Sequence, residues 1–267
     1  MKALRNIPPI LVLSLRSELG RRATVSAEMA RHELNFQFFE AIDGSRQDAS
    51  ALMQVYDAAR NMRQFKRSLS IGEVACAMGH RAMWQEVAQG PAPVVLICED
   101  DLEFTAPPIE FLAAAQAAGS VLEEIIVKID GPVLSGKRLG CLGGVDLVLT
   151  TRLPPRTTAY LIGRKAAARL LQKSGPVARP VDMDLKWYWE HGVPVLVTHP
   201  RLVAERAETT SSLTAGRSAL RPGSYLARLW RNLAYQSRMD AGRLMHPLRV
   251  NRIPEVDALR RYLKVKS

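Results

Sequence analysis

The chain has 267 residues, 47% hydrophobic and 24% charged, enough for one large core or a core with an appendage, and it has no run of about 18 apolar residues to make a membrane-spanning helix. The net charge of +11 is uneven: from Leu213 onward twelve Lys/Arg stand against three Asp/Glu, +9 in that stretch, so a basic appendage rather than the body calls for an acidic partner. Met1 to Pro9 lacks a secretory pattern, and Cys76, Cys98 and Cys141 lack metal-ligand spacing, so the thiols are expected to be small buried hydrophobes in a reducing, cytoplasmic setting.

Pro8 to Leu15 predicts a first strand, followed by a helix from Ser17 to about His32 and a second strand over Phe36 to Ile42, closed by the turn pair Asp43-Gly44. Gln47 to Met62 is helix or loop. Ser70 with Glu73 three residues on is a capping box, and the helix it opens runs to Gln89, where Gly90-Pro91 stops it. A buried strand follows, then an Ala-rich helix from Pro107-Pro108 to Ala118 and a strand over Glu124 to Ile129. Strands are predicted over Val145 to Thr150, Ala159 to Ile162 and Val193 to Val197, with helices over Lys165 to Lys173 and Val181 to Glu190. Strands separated by helices predict an α/β fold with a mostly parallel sheet.

The strand of residues 94–98 runs straight into Glu99, Asp100 and Asp101. Three carboxylates at one strand tip repel each other unless a cation or a donor network compensates. Oxygen clusters suit Mg²⁺ or Mn²⁺, which substrate phosphates commonly complete, and strand ends are where open α/β sheets place ligands. The alternative is a solvated acidic turn. Past Leu213, Gly216, Pro222 and Gly223 punctuate. Tyr225, Leu226, Leu229, Trp230, Leu233 and Ala234 then fall at helical spacing with Arg228, Arg231 and Arg238 between them. This basic amphipathic helix fits an anionic membrane surface; the alternative is that its apolar face packs on the domain. No nucleic-acid partner is expected, because no aromatic array sits in a basic sheet.

Three blocks in order carry a resemblance: Val12 to Leu15 with Arg21-Arg22 and Phe38 to Gly44; Leu69 to His80 with Trp84 and Val95 to Asp101; and Thr157 to Arg164 with Ala167 and Pro180 to Asp182. Over roughly residues 9–205 the chain resembles glycosyltransferase family 25, which includes lipooligosaccharide galactosyltransferases of bacterial envelopes. Gly79 and Gly163 stand where the family usually has Ser.

The resemblance implies a GT-A-like, Rossmann-type domain over residues 1–212, with residues 213–267 as the basic helical tail. It implies transfer of a hexose, commonly galactose, from a UDP-sugar to a saccharide acceptor of envelope lipopolysaccharide. Mn²⁺ or Mg²⁺ is expected on Asp101 with Asp100, and the donor nucleotide on Ser14, Arg22, Asp43, His80, Glu99 and Asp100. Arg22 is favoured over Arg21, and rival readings are a solvated Arg, a turn Asp43 and a packing His80. Asp182 is the candidate base and Asp130 the second candidate, or a further metal ligand, with Lys128 expected to pair elsewhere. Asp184, Trp187 and Trp189, with Tyr188, are candidate acceptor contacts, part of them core. A lipid-linked acceptor places the enzyme peripherally at the inner face of the cytoplasmic membrane. The alternative function is a catalytically inactive membrane-associated protein of the same fold, suggested by Gly79 and Gly163.

Overall fold

The computed structural model describes residues 6–45, 53–206, 225–247 and 252–266, with side chains of the helix that opens at Tyr225 described from Leu229. The boundary at 212/213 and the punctuating Gly216, Pro222 and Gly223 lie outside the described residues, as do the side chains of Tyr225, Leu226 and Arg228. The strands are β1 (Ile10–Ser14), β2 (Gln37–Glu40), β3 (Val94–Glu99), β4 (Leu102–Phe104), β5 (Ile126–Lys128), β6 (Lys137–Leu142), β7 (Val145–Leu149), β8 (Ala159–Gly163), β9 (Val195–His199) and β10 (Val203–Glu205). The helices are α1 (Leu19–Arg31), α2 (Ala58–Gln64), α3 (Ile71–Gln89), α4 (Ile109–Ala117), α5 (Gly119–Leu122), α6 (Arg164–Lys173), α7 (Val181–Lys186), α8 (Tyr188–His191), α9 (Tyr225–Met245) and α10 (Pro254–Lys266).

Eight strands form one sheet in the order β2-β1-β3-β8-β5-β9-β7-β6, and β4 pairs with β10 in a small separate arm. The pairings β2–β1, β1–β3 and β5–β9 are parallel and the others antiparallel, so six strands run one way while β7 and β8 run against them. This is the α/β, Rossmann-type sheet flanked by helices that the alternation of elements predicts, mostly parallel in direction but mixed in its pairing.

Both faces of the sheet are covered, so the central strands read as continuous apolar runs. Side-chain alternation divides β1 and β3 between two cores. Ile10, Val12, Val94, Leu96 and Cys98 face the α1, α4 and α10 layer. Leu11, Leu13, Val95 and Ile97 face the α3, α6 and α7 layer. The Ser70 capping box forms in both halves and holds the first turn of α3 at the sheet's upper edge. The helix predicted over Val181 to Glu190 is broken at Trp187, whose φ and ψ of −87° and 49° leave the helical region and divide α7 from α8. α10 is part of the fold: Val256, Leu259 and Leu263 are buried in the first core, with Leu263 lying over Gly140 of β6.

Candidate functional site

Three parallel strands, β2, β1 and β3, end on one opening. Because β2 and β3 lie on opposite sides of β1, the connections diverge at its tip and leave a crevice, the position at which open α/β sheets bind ligands. The cleft there has a volume of about 990 Å³, at the upper end for small-molecule sites. Ser14 sits at the β1 tip, Asp43 and Gly44 on the turn after β2, and Glu99, Asp100 and Asp101 after β3. The first turns of α3 form one wall, and Thr157 and Asp182 the far side.

The acidic triplet is compensated unequally. Asp100 accepts a 2.7 Å hydrogen bond from Ser14 Oγ and an ion pair from Arg21 at 2.5 Å. Arg21 reaches Asp101 only at 3.4 Å, and Asp101 Oδ1 is buried without a hydrogen-bond partner among the described residues. Burial, then the charge of Glu99, pushes the Asp101 carboxyl up to about 7 against the pull of Arg21. Burial also raises Asp100, with Ser14 and Arg21 opposing it.

Glu99 behaves differently. Burial raises its carboxyl, but hydrogen bonding from His80 and Thr157, with the positive charge of Lys128, leaves it below the usual range. Thr157 Oγ1 donates at 2.6 Å and His80 Nε2 lies at 3.3 Å. Behind them, Trp84 Nε1–H donates to Tyr160 Oη at 2.8 Å, and that hydroxyl meets His80 Nδ1 at 2.9 Å. The indole is a donor only, so the phenol passes its hydrogen to Nδ1, and Nε2 carries the proton shared with the carboxylate. A buried line of three side chains therefore fixes Glu99.

On the far side, Asp182 Oδ2 accepts from the backbone N–H of Arg156 at 3.0 Å, and Oδ1 from Met183 N–H at 2.8 Å. Arg156 is in the left-handed region at φ 78°, a conformation uncommon for non-glycine residues. Its guanidinium pairs with Glu205 at 2.9 Å, and its carbonyl accepts from Lys128 Nζ.

The structure brings Ser14, Asp43, Glu99, Asp100, Asp101 and Asp182 to the cleft and leaves the other expected residues out of its walls. Arg21, not Arg22, faces the opening. One residue further round α1, Arg22 lies 3.9 Å over the Phe38 ring and near Glu40. His80 is fully buried and lies behind the cleft wall, against Glu99. Asp130 is buried against Lys128, whose Nζ lies 3.1 Å from Oδ1; residues two apart on a strand share a face, so Lys128 does not point away from it. Asp184 is tied to Arg179 by hydrogen bonds of 2.9 and 2.6 Å. Trp187 is buried beneath the Arg179 guanidinium at 4.2 Å. Trp189 stacks on His246 and packs against the backbone at Gly242, where a Cβ would overlap its ring. Tyr188 donates to the His246 carbonyl at 2.8 Å. The aromatic cluster thus docks α9 rather than facing a sugar.

Arg156 was not singled out by sequence reasoning, which also passed over Arg21 in favour of Arg22 and took Cys76 for a buried small hydrophobe. Ser17 and Glu18, in the turn before α1, line the cleft together with Arg21 of its first turn, and that placement separates Arg21 from its neighbour.

Residues 7–128 match the model of glycosyltransferase family 25 (LPS biosynthesis protein), a span that contains β1, β2, β3 and the whole acidic triplet. Over that span the chain is similar to family 25 glycosyltransferases. It is 26% identical over 209 residues to the lacto-N-neotetraose biosynthesis glycosyltransferase LgtB of Neisseria meningitidis, covering 73% of this chain and 74% of that one. It is 31% identical over 102 residues to the lipooligosaccharide biosynthesis protein lic2B of Haemophilus influenzae, 38% of this chain and 36% of that one. The inactive glycosyltransferase 25 family member 3 of Homo sapiens is 26% identical over 183 residues, 66% of this chain and 30% of that one. The family 25 match stops at the end of β5, so Thr157, Asp182 and Glu205 of the cleft lie beyond it.

Proposed function

We propose that the protein is a glycosyltransferase of lipopolysaccharide or lipooligosaccharide biosynthesis that moves a hexose, galactose as the leading choice, from a UDP-sugar to a saccharide acceptor. The observation that carries this reading is Asp101: a buried, under-compensated carboxylate with a bare Oδ1, at the switch point within the span similar to family 25. An orphaned buried acceptor beside Asp100 fits a hard divalent cation, so Asp101 and Asp100 would hold Mn²⁺ or Mg²⁺. Bound there, the ion supplies positive charge to the diphosphate that departs. Arg21, shared between the two acids, is placed to follow phosphate oxygens. Asp43, whose Oδ1 accepts from Ser45 N–H at 3.0 Å, lines the opening where ribose or uracil would sit.

Asp182 is the base in this proposal. Its two backbone donors orient the carboxylate and leave lone pairs toward the cleft. As the acceptor oxygen attacks the anomeric carbon, its proton passes to Asp182 while the sugar–phosphate bond breaks and its electrons leave with UDP. Glu99, held by Thr157 and His80, orients the donor and stays ionised.

The inactive-protein alternative rested on Gly79 and Gly163, and both have packing reasons. A Cβ on Gly79 would come within 3.2 Å of Leu13, so the glycine lets α3 lie close on β1. A Cβ on Gly163 would overlap the Leu122 and Glu123 carbonyls. Neither site opens onto the cleft, which favours the catalytic reading.

The proposal extends to location at an anionic membrane surface. No described helix is long and apolar enough to cross a membrane. Tyr235, Met239 and Gly242 of α9 face the domain, while Leu229, Trp230, Leu233 and Leu244 are exposed on the opposite side. The helix packs with one stripe and leaves a second apolar stripe flanked by Arg238 and Arg243.

Calorimetry with UDP, with and without Mn²⁺, followed by UDP-sugar hydrolysis, tests the function. Asp101→Ala is expected to remove metal-dependent UDP binding. Asp182→Asn is expected to keep UDP binding and lower transfer by about 10²–10⁴-fold. Normal transfer by Asp182→Asn rejects it as the base, and UDP binding that ignores the metal rejects the acidic pair.

A further inference from the structure

We propose that Cys76, His80 and Glu99 form a second metal site, selective for a thiolate-preferring ion such as Zn²⁺ and separate from the acidic pair. Cys76 Sγ, an imidazole nitrogen of His80 and a Glu99 carboxylate oxygen lie within 4.8 Å of one another. Cys76 and His80 are four residues apart on α3, hence on one face a turn apart, the spacing by which a helix offers two ligands to one ion. Glu99 arrives from the end of β3.

One sulfur, one nitrogen and one carboxylate oxygen suit zinc, with bonds of roughly 2.0–2.3 Å, better than the all-oxygen preference of Mg²⁺. Cys76 and Glu99 both line the cleft, which gives the ion an entry path and leaves a fourth position for water or a substrate oxygen. The outer shell is present as well. Tyr160 Oη stands 2.9 Å from His80 Nδ1, anchored by Trp84, and Thr157 holds Glu99. On binding, the Cys76 thiol gives its proton to solvent. His80 shifts its single ring hydrogen from Nε2 to Nδ1, the Tyr160 hydroxyl rotates its own hydrogen off that axis so that its oxygen accepts from Nδ1, and Nε2 is freed for the ion. The site stands without the sugar-transfer reading, since no part of the argument uses UDP.

The test uses the full-length protein stripped with chelator and then titrated with Co²⁺ as a spectroscopic substitute for zinc. A four-coordinate site with sulfur gives intense visible bands together with a near-ultraviolet sulfur-to-cobalt transition. Cys76→Ser is expected to lose the sulfur transition, and His80→Gln or Glu99→Gln to weaken binding by at least the roughly 10–100-fold that loss of an outer-shell partner costs. Asp101→Asn is expected to leave all of these signals in place. Because substitution of a buried His80 can cost the fold, a second measurement uses the unmodified protein: one equivalent of Zn²⁺ should slow alkylation of Cys76, whose sulfur the ion would occupy, while exposed Cys141 reacts as before. Equal alkylation rates at Cys76 with and without zinc, or a cobalt spectrum with no sulfur transition, overturn the proposal.

Discussion

Asp101 and Gly163 illustrate two kinds of single-residue constraint. Asp101 is held in the folded protein with a carboxyl raised to about 7 from an ordinary 3.8. The folded state therefore binds more protons than the unfolded chain between those values, and stability falls as pH rises through that window. Asp101→Asn removes the penalty. In chelator-containing buffer the variant should melt several degrees above the parent at pH 8 and no higher than the parent near pH 4; an equal difference at both pH values would count against the burial argument. Gly163 is constrained by space. It has an ordinary φ of −74°, so its need is not conformational freedom but the absence of a Cβ next to the carbonyls of Leu122 and Glu123. Gly163→Ser should lower the thermal midpoint sharply, a loss of roughly 3 kcal/mol or more, as overpacking against rigid backbone costs at least that of ordinary cores. A midpoint within a degree of the parent would show that the α5–β5 connection yields.

At the scale of elements, α9 and its aromatic clamp are the clearest case of sequence and structure parting. Trp187, Tyr188 and Trp189 beside a candidate base look like a sugar platform in the sequence. In the structure Trp189 lies flat on α9 because Gly242 has no side chain, and Tyr188 caps the helix end at His246. Gly242→Val should undock α9, seen as faster proteolytic cleavage after residue 224 and a red shift in tryptophan emission, with UDP binding unchanged. Retained protection would mean that Tyr235 and Met239 alone suffice to hold it. Nothing near Trp189 in the chain discloses a glycine some fifty residues on, so this contact was illegible. The long elements were legible because each carried its own punctuation: the capping box at Ser70 and Glu73, the Gly90-Pro91 stop and the run Val94 to Cys98. β4 and β10 are three residues each and are made only by pairing with one another, so no local period announces them. β6 is interrupted by a bulge between Arg138 and Gly140 and is exposed at its start. α10 did leave a signal, with Pro254 at its first position, Glu255 and Asp257 in the first turn, Lys264 and Lys266 in the last, and Val256, Leu259 and Leu263 on one stripe. Reading the stretch as a single basic unit hid that stripe. In the cleft, strand-tip acids and turn residues were legible because strand ends predict where they go. The choice between Arg21 and Arg22, and the partners of Asp130 and Asp184, depended on which way adjacent side chains turned.

For the whole molecule, charge and hydropathy are distributed so that one flank differs from the rest. Trp230 is 71% exposed and Leu244 81%, on a helix already anchored by its other face. An apolar stripe of this kind on a basic helix is the surface that anionic lipid would cover, each nearby cation adding about 1 kcal/mol. Trp230→Glu combined with Leu233→Glu should abolish sedimentation with vesicles containing anionic phosphatidylglycerol and leave sugar-nucleotide hydrolysis in solution intact. Binding that survives those changes, or that does not weaken as salt is raised, would remove the membrane reading. This double substitution is a cleaner probe than deleting everything after Leu213, because such a deletion also removes Val256, Leu259 and Leu263 from the core.

That last packing has a bearing on how the protein is made. The ledge around Gly140 receives Leu263 only after about 120 further residues have been synthesised, a contact of long sequence separation and therefore slow to close. While the nascent chain is still emerging, β6 and α5 wait with an oily shelf bared to whatever else is nearby, and this is the window in which misassociation threatens the newborn protein.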